Sequence, residues 1–219
     1  MAYKYDTIIF DLDGTLIDTL EDIMDSVNYV MQLHDLPAHT YAEIRSFVGN
    51  GNRNLINRSL PDGSDDALRE QCYNEFLDYY LAHSMVKTAP YKGIAETVEK
   101  LASMGIKMAV VTNKTQPAAQ EIIKRFFGGT IDITIGQVDG LPQKPEPDGV
   151  WLAIEKLGSE RSRAVYIGDS EVDCLTARNS ALPIIGCAWG FRGRKTLEEN
   201  AADYIIDTPA EIADILEGR

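Results

Sequence analysis

Short runs of β-branched and apolar residues recur along the chain, and between them apolar positions repeat at helical spacing. Residues 7–10, 108–111, 131–135, 164–167, 183–187 and 204–206 are short, nearly continuous apolar runs and predict buried strands. Ile94, Val98 and Leu101 share one face of a helix, as do Ala119, Ile122, Ile123 and Phe126, and Val150, Ile154 and Leu157. Strands alternating with helices predict an α/β fold: a doubly wound parallel sheet covered on both faces. One stretch breaks the alternation. Residues 16–86 carry helical stripes, Leu20/Ile23/Met24/Val27/Met31 and Tyr73/Phe76/Leu77/Tyr80/Leu81, but no convincing strand. Several consecutive helices on one connection far exceed an ordinary loop. The expected organisation is therefore a core made of residues 1–15 and 87–219, with residues 16–86 inserted as a separate helical domain. Its return hinge is expected at Ala89-Pro90-Tyr91-Lys92-Gly93, where proline and glycine punctuate the chain.

Composition narrows the functional classes. The 219 residues are 44% apolar and 25% charged, ordinary values for a globular chain with a sizeable core. Lysine and arginine number 21 against 34 acidic residues, a net charge of −13. Such a surface repels phosphate backbones and anionic lipid, so neither nucleic acid nor a membrane is an expected partner. A small anionic substrate needs only local positive charge and stays open. Cys72, Cys174 and Cys187 are odd in number and widely spaced, which suggests neither a disulfide framework nor a zinc site. The start Met-Ala-Tyr-Lys-Tyr-Asp leads directly into the first strand without a secretory signal, and the uncharged stretch 181–191 is too short to span a bilayer. A cytoplasmic location is expected, as a monomer or homodimer.

Candidate chemistry collects where strands end. Asp11-Leu12-Asp13-Gly14-Thr15 follows the first run. An Asp-Gly turn accounts for the second aspartate but not for the first, which leaves a hydrophobic strand where an unpaired carboxylate is costly. Two residues apart, the carboxylates point to one side, and such a pair demands a cation or a raised pKa. Thr112-Asn113-Lys114 follows the run 108–111 and offers a hydroxyl and an amide for phosphate oxygens, or simply a cap for the next helix. Gln143-Lys144-Pro145-Glu146-Pro147 places a lysine in a proline-braced loop. Gly168-Asp169-Ser170-Glu171-Val172-Asp173 puts two carboxylates one helical turn apart. In an open parallel sheet, ligands bind beyond the carboxyl ends of the strands, where all four segments fall. A carboxylate cluster without Cys or His suits Mg²⁺ completed by a phosphate. The constellation reads as metal-assisted phosphoryl transfer through an aspartate nucleophile.

This order of motifs resembles the haloacid dehalogenase (HAD) superfamily, and the helical insertion after the first strand resembles its subgroup with an α-helical cap. Phe47-Val48-Gly49-Asn50-Gly51, Pro90-Tyr91-Lys92-Gly93 and Ala188-Trp189-Gly190-Phe191 are similar to stretches of the phosphoglycolate phosphatases. The resemblance implies a Rossmann-like core with the cap spanning residues 16–86. It implies a phosphatase of small phosphorylated metabolites, with 2-phosphoglycolate the leading candidate. It implies Asp11 as the nucleophile that forms an aspartyl-phosphate, and Asp13 as the acid and then the base. It further implies Mg²⁺ held by the Asp11 carboxylate, the Asp13 carbonyl and Asp169, with Asp173 orienting that sphere. Thr112 and Asn113 would hydrogen-bond the phosphoryl oxygens, and Lys144 would offset the charge on Asp11 and the phosphoryl group. Arg53 either reaches the substrate from the cap or is a solvated helix charge. Asp13 argues against carbon–halogen cleavage, since dehalogenases of the superfamily lack that aspartate. Ile23 stands where the sugar phosphomutases with this cap carry a histidine, which disfavours mutase activity. A pyrophosphatase of the same subgroup is a rival with an identical core. A catalytically silent binding module is disfavoured, because Asp11, Asp13, Lys144 and Asp169 are all present.

Overall fold

A computed structural model describes residues 3–49, 51–131 and 133–218. Asn50, in the stretch Phe47–Gly51, and Asp132, in the run 131–135, lie outside the described residues. The chain divides into two compact units, one of residues 1–17 and 90–219, the other of Asp18–Ala89.

The first unit is built on a parallel sheet of six strands: β1 (Thr7–Phe10), β4 (Lys107–Thr115), β5 (Ile133–Gln137), β6 (Ala164–Gly168), β7 (Ile184–Cys187) and β8 (Tyr204–Ile206). Each expected run contributes one of them. Their order across the sheet is β5-β4-β1-β6-β7-β8. Successive strands therefore step outward from β1 in one direction, and from β6 onward they step the other way. That reversal leaves the doubly wound arrangement with a crevice beyond the ends of β1 and β6. The registers bring Phe10 opposite both Val110 and Ile167, so β1 and β6 end within a residue of each other while β4 runs on to Thr115.

Both faces of the sheet are closed. Ile9, Ala109, Val111, Ile135 and Tyr166 point to one face and pack on α7 (Asp148–Lys156) and α8 (Glu171–Ser180). Ile8, Phe10, Met108 and Val110 alternate to the other face and are equally buried. On β4 and β5 sits also α6 (Gln116–Phe127), which packs on α5 (Ile94–Ser103). One detail of the expected stripe is corrected: Phe127, not Phe126, is the buried aromatic of α6. Helices α9 (Gly193–Glu199) and α10 (Glu211–Leu216) complete this unit.

The second unit holds four helices, α1 (Leu20–Leu33), α2 (Tyr41–Phe47), α3 (Gly51–Ser59) and α4 (Asp66–His83). Two-residue strands, β2 (Ile17–Asp18) and β3 (Ala89–Pro90), pair with each other where the chain passes between the units. Helix α2 starts with a reciprocal capping box between Thr40 and Glu43, and the Asp65 side chain caps α4. The buried face of α4 is Cys72, Phe76 and Tyr80, while Leu81 is exposed. Its inward stripe is thus turned slightly from the expected one. Buried Asp22 is satisfied by the backbone N–H groups of Lys87 and Thr88, which fastens the returning chain to α1. Among the described residues, no helix is long and apolar enough to cross a membrane.

Candidate active site

The end of β1 delivers Asp11 as the ladder finishes. Its N–H still donates to the Ile167 carbonyl at 2.8 Å, so the backbone is held by β6 while the side chain is free of the core. The chain then turns sharply at Gly14, whose φ of +91° favours glycine. A side chain there would also strike Asp169, because a Cβ on Gly14 would lie 2.6 Å from its Oδ1. Gly190 closes the other side of that carboxylate in the same way, its would-be Cβ colliding with Asp169 and the Gly14 carbonyl. Asp169 is therefore clasped between two glycines. Its oxygens accept from the Phe191 N–H at 2.7 Å and from the Thr15 hydroxyl at 3.3 Å. Trp189 fixes this wall by donating to the Thr15 carbonyl at 3.0 Å.

Lys144 is the positive centre. Its ammonium donates to Asp11 Oδ1 at 2.7 Å, to Asp173 Oδ1 at 2.8 Å and to the Tyr166 hydroxyl at 3.1 Å. Burial alone would lower its pKa, but Asp11 and Asp173 raise it well above the ordinary lysine value. The loop carrying it is clipped by Asn113, which donates to the Lys144 carbonyl and accepts from the Lys144 N–H, at 3.1 and 2.9 Å. With both ends of its amide bound to the lysine's backbone, Asn113 positions Lys144, and this bond takes one of the two amide hydrogens. The buried Thr112 hydroxyl accepts from the Lys114 N–H at 3.1 Å.

Asp173 is held on both of its oxygens by the protein itself. Its Oδ1 accepts from Lys144 and from the Tyr166 hydroxyl at 3.0 Å. Its Oδ2 accepts from the N–H groups of Asp169 and Ser170, each at 3.1 Å, and from the Ser170 hydroxyl at 2.6 Å. Five donors occupy the two oxygens, so the carboxylate orients its neighbours. Burial opposes its ionisation, yet Lys144, Ser170 and Tyr166 outweigh burial and hold its pKa below the usual carboxylate value.

Two contributors escaped the motif reading. Lys114, almost fully buried, donates to Asp13 Oδ1 at 2.8 Å. It lies two residues beyond Thr112 on β4 and so on the same side, a signal that alternation could have supplied. Tyr166 faces the site from inside β6 and looks like any strand residue in the sequence. Arg53 is in the second unit, on exposed α3, where its guanidinium pairs with both Glu70 oxygens and lies 4.1 Å from the Tyr73 ring centroid.

The donor set fits a divalent metal ion. Ligand atoms of Asp11, Asp169 and Asp173 lie within 4.8 Å of one another, and all three residues are buried. Among the described residues, the ion pairs of Asp11, Asp13 and Asp173 are with Lys114 and Lys144, so with Asp169 four carboxylates stand against two ammonium groups. The surplus of two negative charges is what a hard dication with oxygen ligands offsets. Without it, burial and then the Asp173 charge push the Asp11 carboxyl up to about 7. Burial, then the charges of Asp173 and Asp11, push Asp169 well above the carboxylate range.

A doubly wound sheet with an aspartate-bearing turn after its first strand, a buried lysine and a metal-competent carboxylate pair is an arrangement suited to the hydrolysis of phosphorylated substrates. The matches agree with that class. Residues 8–187 fit the family of haloacid dehalogenase-like hydrolases. The chain is 35% identical over 220 residues to a phosphoglycolate phosphatase of Agrobacterium fabrum, covering 95% of this chain and 91% of that protein. A crystal structure from Lactobacillus delbrueckii, of a protein assigned as a phosphoglycolate phosphatase, superposes with a TM-score of 0.94 at 31% identity. It covers 99% of this chain and is itself covered completely. A variant of CbbY from Rhodobacter sphaeroides, crystallised with xylulose-1,5-bisphosphate, is similar at a TM-score of 0.75 and 25% identity, over 94% and 96% of the two chains. The chain belongs to the haloacid dehalogenase-like hydrolases, and it is an enzyme similar to the phosphoglycolate phosphatases over nearly its whole length.

Proposed function

We propose that the enzyme is a Mg²⁺-dependent phosphatase that hydrolyses a small phosphorylated metabolite, 2-phosphoglycolate first among them, through an aspartyl-phosphate on Asp11. The observation that carries this reading is the pairing of buried Asp11 with Lys144 at 2.7 Å, beside a second buried carboxylate, Asp169, that has no lysine of its own. Asp11 and Asp169 are the residues that would hold the metal, together with the Asp13 carbonyl implied by the family resemblance. The ion would supply charge neutralisation at the phosphoryl group.

The residues then divide the work. Lys144 keeps Asp11 ionised and aimed, and offsets the negative charge that would otherwise repel an approaching phosphoryl group. Asp11 attacks phosphorus, and the substrate's bridging oxygen leaves with a proton from Asp13. The same aspartate then takes a proton from the water that hydrolyses the aspartyl-phosphate. Lys114 holds Asp13 within reach of that oxygen. Thr112 lies on the same strand and offers its hydroxyl hydrogen to a phosphoryl oxygen. Residues 16–86 act as the cap that selects the leaving group. Partners beyond the metabolite are not required by this chemistry.

The test is a phosphate-release screen of the purified enzyme. It compares 2-phosphoglycolate, sugar monophosphates and bisphosphates, nucleotides and pyrophosphate at equal concentration. Preference for phosphoglycolate supports the reading. Preference for a sugar bisphosphate, the ligand class in the CbbY complex, or for pyrophosphate would replace the substrate while keeping the chemistry. Absence of phosphate release from every compound would overturn both.

A further inference from the structure

The helical unit contains a second group of metal-competent side chains that phosphoryl transfer does not use. His34 caps the end of α1, and Cys72 and Glu75 stand one turn apart on α4, so both point toward the same neighbour. Helices α1 and α4 pack together, and this brings ligand atoms of all three residues within 4.8 Å of one another. His34 Nε2 and Glu75 Oε2 share a hydrogen bond of 2.6 Å. Cys72 is closed to solvent, and among the described residues its thiol has no hydrogen-bond partner, although it sits beside that pair.

We propose that His34, Cys72 and Glu75 form a binding site for a borderline transition-metal ion of the Zn²⁺ class, which fastens the end of α1 to α4. The donors are one imidazole nitrogen, one sulfur and one carboxylate oxygen, a mixture that suits Zn²⁺ and is foreign to Mg²⁺. In a tetrahedral zinc site, nitrogen and oxygen ligands lie about 3.4 Å apart. Replacing the proton shared by His34 and Glu75 with the ion therefore opens their 2.6 Å contact by less than about 1 Å, within reach of side-chain rotation alone. The carboxylate already has the support that metal ligands need: Gln71 donates to its other oxygen, Oε1, at 2.9 Å and leaves Oε2 for the ion. Cys72 forms the floor, and His34 and Glu75 are only half-buried, which gives the ion a way in and leaves its fourth position to water. The thiol gives up its proton on binding, as zinc-bound cysteines do.

Cobalt(II) is the probe, because only a thiolate ligand produces an intense near-ultraviolet charge-transfer band. The full-length protein is freed of metal with a chelator and titrated with Co²⁺ alone. The expected result is one equivalent of that band, displaced by Zn²⁺, absent in Cys72→Ser and weakened at least tenfold in affinity in His34→Gln and Glu75→Gln. The carboxylate site near Asp11 also takes Co²⁺ but contributes no thiolate band. A wild-type protein without the band overturns the proposal. So does a band that survives in Cys72→Ser, which would place it on Cys174 or Cys187. If Cys72→Ser does not fold, the two glutamine variants decide, since both positions are partly exposed. Unchanged Co²⁺ affinity in both overturns the site.

Discussion

Neutralising Asp169 should stabilise the metal-free enzyme while removing its response to Mg²⁺. In Asp169→Asn the amide keeps the space between Gly14 and Gly190 and still accepts from the Phe191 N–H through its oxygen. What disappears is a buried negative charge with no lysine of its own. The size of the effect follows from the raised carboxyls. Asp11 moves from 3.8 to about 7 on folding, and at 1.36 kcal/mol per pH unit this corresponds to about 4 kcal/mol. The sign is that of a carboxyl whose folded pKa is raised. Below pH 4 both states are protonated and nothing is lost. Between pH 4 and about 7 the unfolded chain ionises first, so metal-free stability falls as pH rises, and above that it levels off. Asp169 adds a loss of the same sign. The variant removes that loss and relieves Asp11 of a neighbouring charge.

Thermal unfolding of chelator-treated protein at intervals from pH 5 to pH 8 measures this directly. Wild type should lose melting temperature across that range, and Asp169→Asn should lose less, so the gap between them widens toward pH 8. The lowered carboxylates of Asp6, Glu43, Glu70 and Glu75 finish titrating below this window, so they do not mask the trend. Mg²⁺ at about a hundred times its dissociation constant adds roughly 2.7 kcal/mol to wild type. For a chain of this length that is on the order of 5–10 °C. Asp169→Asn should gain almost none of it. Equal Mg²⁺ responses of the two proteins, or a gap that does not change with pH, would refute the charge reasoning.

Three further outcomes are expected. Asp13→Asn should release about one equivalent of nitrophenolate per site from 4-nitrophenyl phosphate and then stall with phosphate on Asp11, because this leaving group needs little protonation while hydrolysis still needs the base; steady, undiminished turnover of phosphoglycolate by the variant would contradict the role given to Asp13. Tyr166→Phe removes one hydroxyl that joins Lys144 to Asp173, and urea unfolding should show a loss of about 1–3 kcal/mol, with little change meaning that the hydroxyl bridge is idle. Ca²⁺ in place of Mg²⁺ should inhibit phosphate release, since its larger, looser coordination sphere misplaces the attacking carboxylate; full activity with Ca²⁺ would count against a demand for tight metal geometry.

The sheet was legible because its strands are buried on both faces and so appear as uninterrupted apolar runs. Thr7–Phe10 and Tyr204–Ile206 even begin and end where the pattern puts them. The helices were legible to within a rotation of their faces. Phe126 and Phe127 are adjacent and chemically identical, and only packing on β5 selects the second. On α4, eight of the eighteen residues are polar or charged and fall on all sides of the helix, so the edges of its apolar stripe are poorly marked. The turn residues of the site were visible as motifs because glycines and aspartates at fixed spacing have few other uses. Their partners were not. Nothing in the sequence says that Asn113 spends its amide on the Lys144 backbone thirty-one residues away, or that Tyr166 touches that lysine.

What the sequence leaves open is how four similar carboxylates differ, and the structure separates them by the donors each one has. Asp173 has five, all from the protein, and so its charge is already spent on Lys144 and on the turn that begins α8. Asp13 has Lys114, and Asp11 shares Lys144. Among the described residues Asp169 has a backbone N–H and a long contact from a threonine hydroxyl, though it is almost fully buried. A fully satisfied carboxylate gains nothing from a metal ion; a buried, under-satisfied one has most to gain. Of the four, Asp169, clasped between Gly14 and Gly190, is thus the carboxylate that a divalent ion would relieve most. Lys144 ties Asp11 to Asp173 and so links the turn after β1 to the start of α8.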